Sequence, residues 1–183
     1  LLSNMSSPAY GNYLCPTANV VPLQNRTQRD NLKAIIDGYS ADGATAGHIG
    51  TAWGWYLLSP NWASVLPPES EPLDYGQSGV QKNMIIMTDG EFNTSYVSGA
   101  PAVDQATQTD ESYLQFDSLC ANIKDKGITI YTVGFDLNDA NALAHLGSCA
   151  SSADSFYDVK TGNQLKDAFK AIADRLGNLR VAS

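Results

Sequence analysis

The chain is poor in cysteine, histidine and basic charge, and each shortage removes a class of function. Its three cysteines, Cys15, Cys120 and Cys149, show no Cys-x-x-Cys spacing, and His48 and His145 do not cluster with them, so no zinc site is written here. Each histidine stands alone in sequence, and no Gly-x-Ser-x-Gly elbow accompanies either. A general acid–base pair is therefore not legible. Only 11 Lys and Arg oppose 19 Asp and Glu, giving a net charge of -8 with no basic cluster, which argues against nucleic acid as a partner. No apolar run reaches the roughly 18 residues that span a bilayer. The start lacks the basic, apolar, small-residue order of a signal peptide, but it is Leu1 rather than Met, so the signals of a longer precursor would lie outside it. No internal repeat or low-complexity segment is present.

What is present is 43% hydrophobic residues in 183, enough for one domain with its own core. Strand and helix patterns alternate, which predicts an α/β, doubly wound, mainly parallel sheet flanked by helices. After an irregular lead-in over residues 1–16, residues 17–23 read as a strand closed by Pro22. Residues 27–39 read as a helix with Leu32, Ile35 and Ile36 inward. Gly43-Ala44-Thr45 opens a second helix, whose Ile49, Ala52, Trp53, Tyr56 and Leu57 keep helical spacing until Ser59-Pro60. Trp53 and Trp55 cannot both face a core on one helix. A Pro-, Ser- and Glu-rich connection covers 61–81. A second polar loop, 91–108, is long for a tight α/β unit and points to a functional or mobile segment. Beyond it lie a helix over 109–126 ended by Gly127, a strand over 128–134, and a short helix to Leu146 capped by Asn138-Asp139. A brief strand at 155–159 precedes a helix over 162–176 with Leu165, Phe169 and Ile172 on one face.

The most informative stretch is NMIIMTDGEFNT, residues 83–94. Met84, Ile85, Ile86 and Met87 show no alternation, which predicts a central strand covered on both faces. Asp89 follows at the carboxyl end, where open α/β sheets collect ligands. A turn or cap role for this aspartate is an equal alternative. Thr45 and Asp89 can project onto one rim, and a hydroxyl beside a carboxylate suits a hard divalent cation. By contrast, 136–141 lacks the glycine and distal glutamate of a calcium loop and reads as a helix cap. The sequons at Asn4, Asn25 and Asn93 matter only in a glycosylating host. For the cysteines, a Cys120–Cys149 bridge and three reduced core thiols both remain open.

Gly43-Ala44-Thr45, the strand running into Asp89-Gly90-Glu91-Phe92-Asn93, and ITIYTVGF at 128–135 together resemble the von Willebrand factor A (VWA) domain. Within that family, WGWYLLSP at 53–60, Cys149-Ala150-Ser151 and Asn178-Leu179-Arg180 are similar to bacterial pilus-assembly proteins of the TadG type. The resemblance covers nearly the whole chain. It implies a single VWA-like domain over 1–183 and a metal-ion-dependent adhesion site built from Asp-x-Ser-x-Ser, a threonine and an aspartate. Thr45 and Asp89 match the last two. The first is missing, because 110–114 lacks the second serine and starts a helix. The expectation is that the first strand and its helix lie upstream of Leu1 in the parent, or that this member has lost the site. Mg2+, or Mn2+ or Ca2+ in its place, is thus a conditional cofactor.

The resemblance further implies a non-enzymatic protein-binding or adhesion module. Thr45 and Asp89 would be metal ligands facing an acidic residue of a protein partner, with Phe92, Tyr96 and Trp62 as candidate anchors. It implies an extracytoplasmic place, with the parent anchored by an upstream transmembrane helix. It also favours a Cys120–Cys149 disulfide, with Cys15 paired upstream or free. Two rivals follow from the same residues. One is a cytosolic VWA subunit of a chelatase-like machine with all thiols reduced. The other is a metal-dependent hydrolase using Asp89, for which neighbouring strand ends offer only Asp136.

Overall fold

A computed structural model describes residues 19–40, 44–95 and 105–178. Cys15, Gly43, Tyr96 and the sequon at Asn4 lie outside them. In chain order the elements are α1 (Arg29–Asp37), α2 (Gly47–Leu58), β1 (Asn83–Thr88), α3 (Gln105–Asp125), β2 (Thr129–Phe135), α4 (Ala140–Cys149), β3 (Phe156–Val159) and α5 (Gly162–Asn178). The strands form a parallel sheet in the order β1-β2-β3, with Asn83 opposite Thr129 and Thr132 opposite Phe156. The expected doubly wound arrangement is therefore present.

Strand β2 shows why the layers form. Its side chains alternate between two faces, and both are apolar, so both must be covered. Ile130 joins Phe116, Ile123 and Leu146 in a core built from α2, α3 and α4, where Thr132 Oγ1 donates to Leu146 O at 2.8 Å. Tyr131 and Val133 face the other way, toward Ala168 and Ile172 of α5. Each fully buried large side chain here contributes about 1.5–3 kcal/mol.

Strand β1 departs from expectation. Met84 is buried and Ile86 half-buried, but Ile85 and Met87 are 41% and 44% exposed. In register they sit beside Tyr131 and Val133, on the face that α5 covers only over β2 and β3. The unbroken apolar run is thus sandwiched on one side only. Among the described residues, no strand pairs with the other edge of β1.

Other elements shift for related reasons. Residues 19–23 form no strand, and α1 buries nothing, with Ile36 62% exposed instead of inward. On its amphipathic face Leu32 and Ile35 are only half-buried. In α5 the buried face passes through Ala168 and Ile172, which rotates Phe169 outward to 38% exposure. Helix α3 starts at Gln105, four residues before the expected position, shortening the preceding loop. Trp53 is exposed while Trp55 packs on the core and donates through Nε1 to Tyr75 OH at 3.0 Å, so the two tryptophans divide as their spacing requires.

The connection over 59–81 is laid down by backbone-directed bonds. Lys82 Nζ donates to Leu58 O at 2.6 Å and Leu73 O at 2.5 Å, joining the carboxyl end of α2 to that connection. Asp139 caps α4, its carboxylate accepting from Ala142 N at 2.6 Å. Asp139→Ala is expected to cost about 1 kcal/mol, measured as a drop in urea midpoint at constant slope. Cys120 and Cys149 are joined by a disulfide across a Cα–Cα distance of 5.2 Å.

Candidate functional site

The carboxyl end of β1 turns through Thr88-Asp89-Gly90. Thr88 Oγ1 both donates to Gly90 O at 2.9 Å and accepts from Gly90 N at 3.3 Å, closing the turn and leaving Asp89 exposed. The chain then re-enters the protein. Phe92 is 2% exposed, stacked on Tyr113 at 5.0 Å and edge-on to Phe116. Its backbone N donates to Tyr113 OH at 3.1 Å. Burial raises the Tyr113 pKa; the bond from Phe92 opposes this, while the charges of Asp139 and Glu91 add to it. As a partner anchor, Phe92 is corrected: it is a core residue, buried because its ring fills the space between α2 and α3.

Asn93 fixes the second loop. Thr45 N donates to Asn93 Oδ1 at 2.8 Å, and Asn93 N donates to Thr45 O at 3.0 Å. These reciprocal bonds bring the loop before α2 onto the loop that carries Asp89. Thr45 lies two residues ahead of the helix instead of opening it, and the N-cap position, Ala46, has no capping side chain.

The donor set is thin. Thr45 and Asp89 supply one neutral and one charged oxygen, and no group of three His, Cys, Asp or Glu able to hold a metal occurs among the described residues. A divalent cation needs about six oxygen ligands, so the residues present do not fit one unaided. Nor does 110–114 help, since it lies within α3, with Ser112 bonded to His48 and Tyr113 in the core.

Beside the rim, a groove of about 270 Å3 runs along β1 between Thr45, Gly47, Gly50 and Gly54 on one side and Ile85 and Met87 on the other. Trp62 belongs elsewhere. It stacks on Tyr56 at 4.1 Å, in the last turn of α2, whereas Thr45 precedes the first turn, so these two predicted site residues flank opposite ends of a 12-residue helix.

Sequence reasoning left both histidines without partners, and the structure supplies them. His145 Nδ1 lies 2.9 Å from Asp117 Oδ2 and its ring stacks on Tyr113 at 4.2 Å. Tyr113 and Asp117 stand at i and i+4 on α3, a spacing that could have signalled a shared contact. His48 is 5% exposed, with Nδ1 2.8 Å from Ser112 Oγ. Burial lowers its pKa beneath the ordinary 6.5. The unfolded chain thus takes up a proton that the folded chain resists, so this contribution to stability is complete above about pH 6.5 and is lost as pH falls through the folded value. Urea midpoints at pH 7.5 and 5 are expected to differ less in His48→Gln than in the parent sequence.

The profile of the von Willebrand factor type A domain matches residues 69–171, more than half of the chain. Among solved structures, the pilus adhesin SpaC from Lactobacillus rhamnosus GG is similar at 15% identity and a TM-score of 0.60, over 90% of this chain and 23% of that one. Proximal thread matrix protein 1 from the mussel byssus is similar at 18% identity and a TM-score of 0.48, over 81% of this chain and 30% of that one. A form of that mussel protein with a zinc-occupied MIDAS motif gives 17% identity and a TM-score of 0.46, over 79% and 28%. The likeness to SpaC shows the fold alone, and the two mussel scores are too low to carry weight. The chain spans about a quarter of the SpaC length. No curated protein sequence matches it.

Proposed function

The chain belongs to the von Willebrand factor type A domain family, and from that premise we propose that it is a non-enzymatic protein-binding module whose contact surface is the rim holding Thr45, Asp89 and Glu91. The proposed setting is an extracytoplasmic, TadG-like pilus-assembly or adhesion protein. The observation that carries the reading is the reciprocal pair of Thr45–Asn93 hydrogen bonds, which makes one surface of two loops. The Cys120–Cys149 disulfide supports an oxidising compartment. No helix of the described residues is long and apolar enough to cross a membrane; the anchor is proposed as an upstream helix of the parent.

The rim is acidic, and an acidic partner group would be repelled from it without a cation between them. The proposed parent therefore supplies the missing Asp-x-Ser-x-Ser on a first strand that pairs with the edge of β1 left unpaired among the described residues, while its helix covers Ile85 and Met87. Thr45 and Asp89 would then complete the ligand set for Mg2+, or for Mn2+ or Ca2+ in its place.

Calorimetric titration with Mn2+ tests this. The present chain is expected to bind more weakly than about 1 mM, and a chain extended upstream at least tenfold more tightly, with the gain abolished by Asp89→Ala. The extension should also raise the melting temperature without metal, because it covers apolar surface. An extended chain that shows neither gain would sink the proposal.

A further inference from the structure

The geometry points to a second ligand site, a groove for a neutral saccharide between α2 and α3, whose lining includes none of the rim residues Thr45, Asp89 and Glu91. The groove holds about 650 Å3, within the range of small-molecule sites, and is lined by residues of both helices. One wall carries Trp53 and Tyr56. Trp53 is 42% exposed yet held in place, edge-on to Tyr56 at 5.6 Å and to Trp62 at 6.1 Å, while Tyr56 and Trp62 stack on each other. A half-exposed indole fixed by two neighbouring rings is a rigid platform that loses little entropy on binding.

The opposite wall is mixed. Leu114 is 63% exposed, and Gln115 and Ser118 present an amide and a hydroxyl to solvent. His48 lines the floor, its Nδ1 already engaged by Ser112. No charged side chain lines the groove, although the chain carries a net charge of -8.

These features select the occupant. A charged ligand would lose hydration and find no counter-charge. A wholly apolar ligand would strip water from Gln115 and Ser118 and leave their polar atoms unpaired. A pyranose ring satisfies both walls, since its C–H face packs flat on an indole while its hydroxyls exchange hydrogen bonds with a neutral amide and hydroxyl. No bond is made or broken, so the assignment is to binding alone.

The test is calorimetric and NMR titration of the chain with maltohexaose, cellohexaose and N-acetylchitohexaose. At least one should bind saturably in the millimolar range or tighter, with shifts centred on the Trp53 indole N–H and the Gln115 side-chain amide. Trp53→Ala should weaken binding by about tenfold or more and Gln115→Ala by about threefold, both with unchanged far-UV circular dichroism. Asp89→Ala should leave it unchanged, which separates this site from the protein-binding rim. The assignment is overturned if no oligosaccharide binds at 10 mM, on the order of the weakest affinity worth assigning. It is also overturned if binding is indifferent to both groove variants, or if a Leu- and Lys-patterned amphipathic peptide binds in a Trp53-dependent way while the sugars do not.

Discussion

Gly47→Ala is expected to destabilise the domain by about 3 kcal/mol, although alanine is ordinarily the better helix former by nearly 1 kcal/mol. A Cβ at position 47 would fall 2.0 Å from Cζ of Phe92 and within 2.3 Å of both Cε atoms. The ring has nowhere to go. It is 2% exposed, stacked on Tyr113 and met edge-on by Phe116, and its backbone is tied to Tyr113 OH on one side and, through Asn93, to Thr45 on the other. Relief must come from moving the start of α2 away from the loop over 91–95, which breaks the two-loop rim as well as the core.

Gly50 provides the internal control, because a Cβ there meets nothing within 4 Å. Gly50→Ala should therefore stabilise the chain by about 0.5–1 kcal/mol through helix propensity alone. Urea unfolding of the two variants reads the difference directly. Adding Phe92→Leu to Gly47→Ala should recover part of the loss, since a smaller side chain makes room for the new methyl. If positions 47 and 50 respond alike, close approach of α2 to Phe92 is not what requires glycine at 47.

The same residues show how far the sequence could be read. Helical spacing located α2, a start signal and the Gly127 stop located α3, and apolar runs located β1 and β2, because each signal is local to its element. The family resemblance rested on such elements and on Thr45 and Asp89 at their ends, and it led to the right fold. Coverage was not legible: Met84 to Met87 read as buried on both sides, yet Ile85 and Met87 are exposed because α5 reaches only β2 and β3. An apolar run reports what a strand would bury, not whether the covering layer lies within the same residues. Phe92 differs from expectation for a related reason, since an aromatic in a polar loop resembles an anchor, whereas here Gly47 leaves a slot for its ring. A partner far apart in sequence, such as Ser112 for His48, carries no local signal, and the i, i+4 spacing of Tyr113 and Asp117 marks one face of α3 without naming His145 as what meets it.

Removing the Cys120–Cys149 bridge is the second large effect. With 29 residues separating the cysteines, the loop-closure entropy restored to the unfolded chain corresponds to about 3–4 kcal/mol, against a total of roughly 5–15 kcal/mol for a typical domain. The closed loop contains all of β2, the strand that pairs with both others. The bridge also lies within a seam between α3 and α4, flanked by Asp117–His145 and by Lys124 Nζ donating to Ser148 O at 2.8 Å. Those polar contacts are partly exposed and contribute little singly, so the covalent link should dominate the seam. Cys120→Ala with Cys149→Ala is expected to lower the urea midpoint by the corresponding amount, and treatment of the parent sequence with reductant should approach the same value. Thiol titration of the denatured chain, purified from an oxidising compartment, should find one reactive cysteine where the reduced chain has three. A loss below about 1 kcal/mol would mean that the unfolded chain is already restricted in this region. Three free thiols in the native protein would instead remove the argument for an extracytoplasmic module and return the chain to the cytosolic alternative.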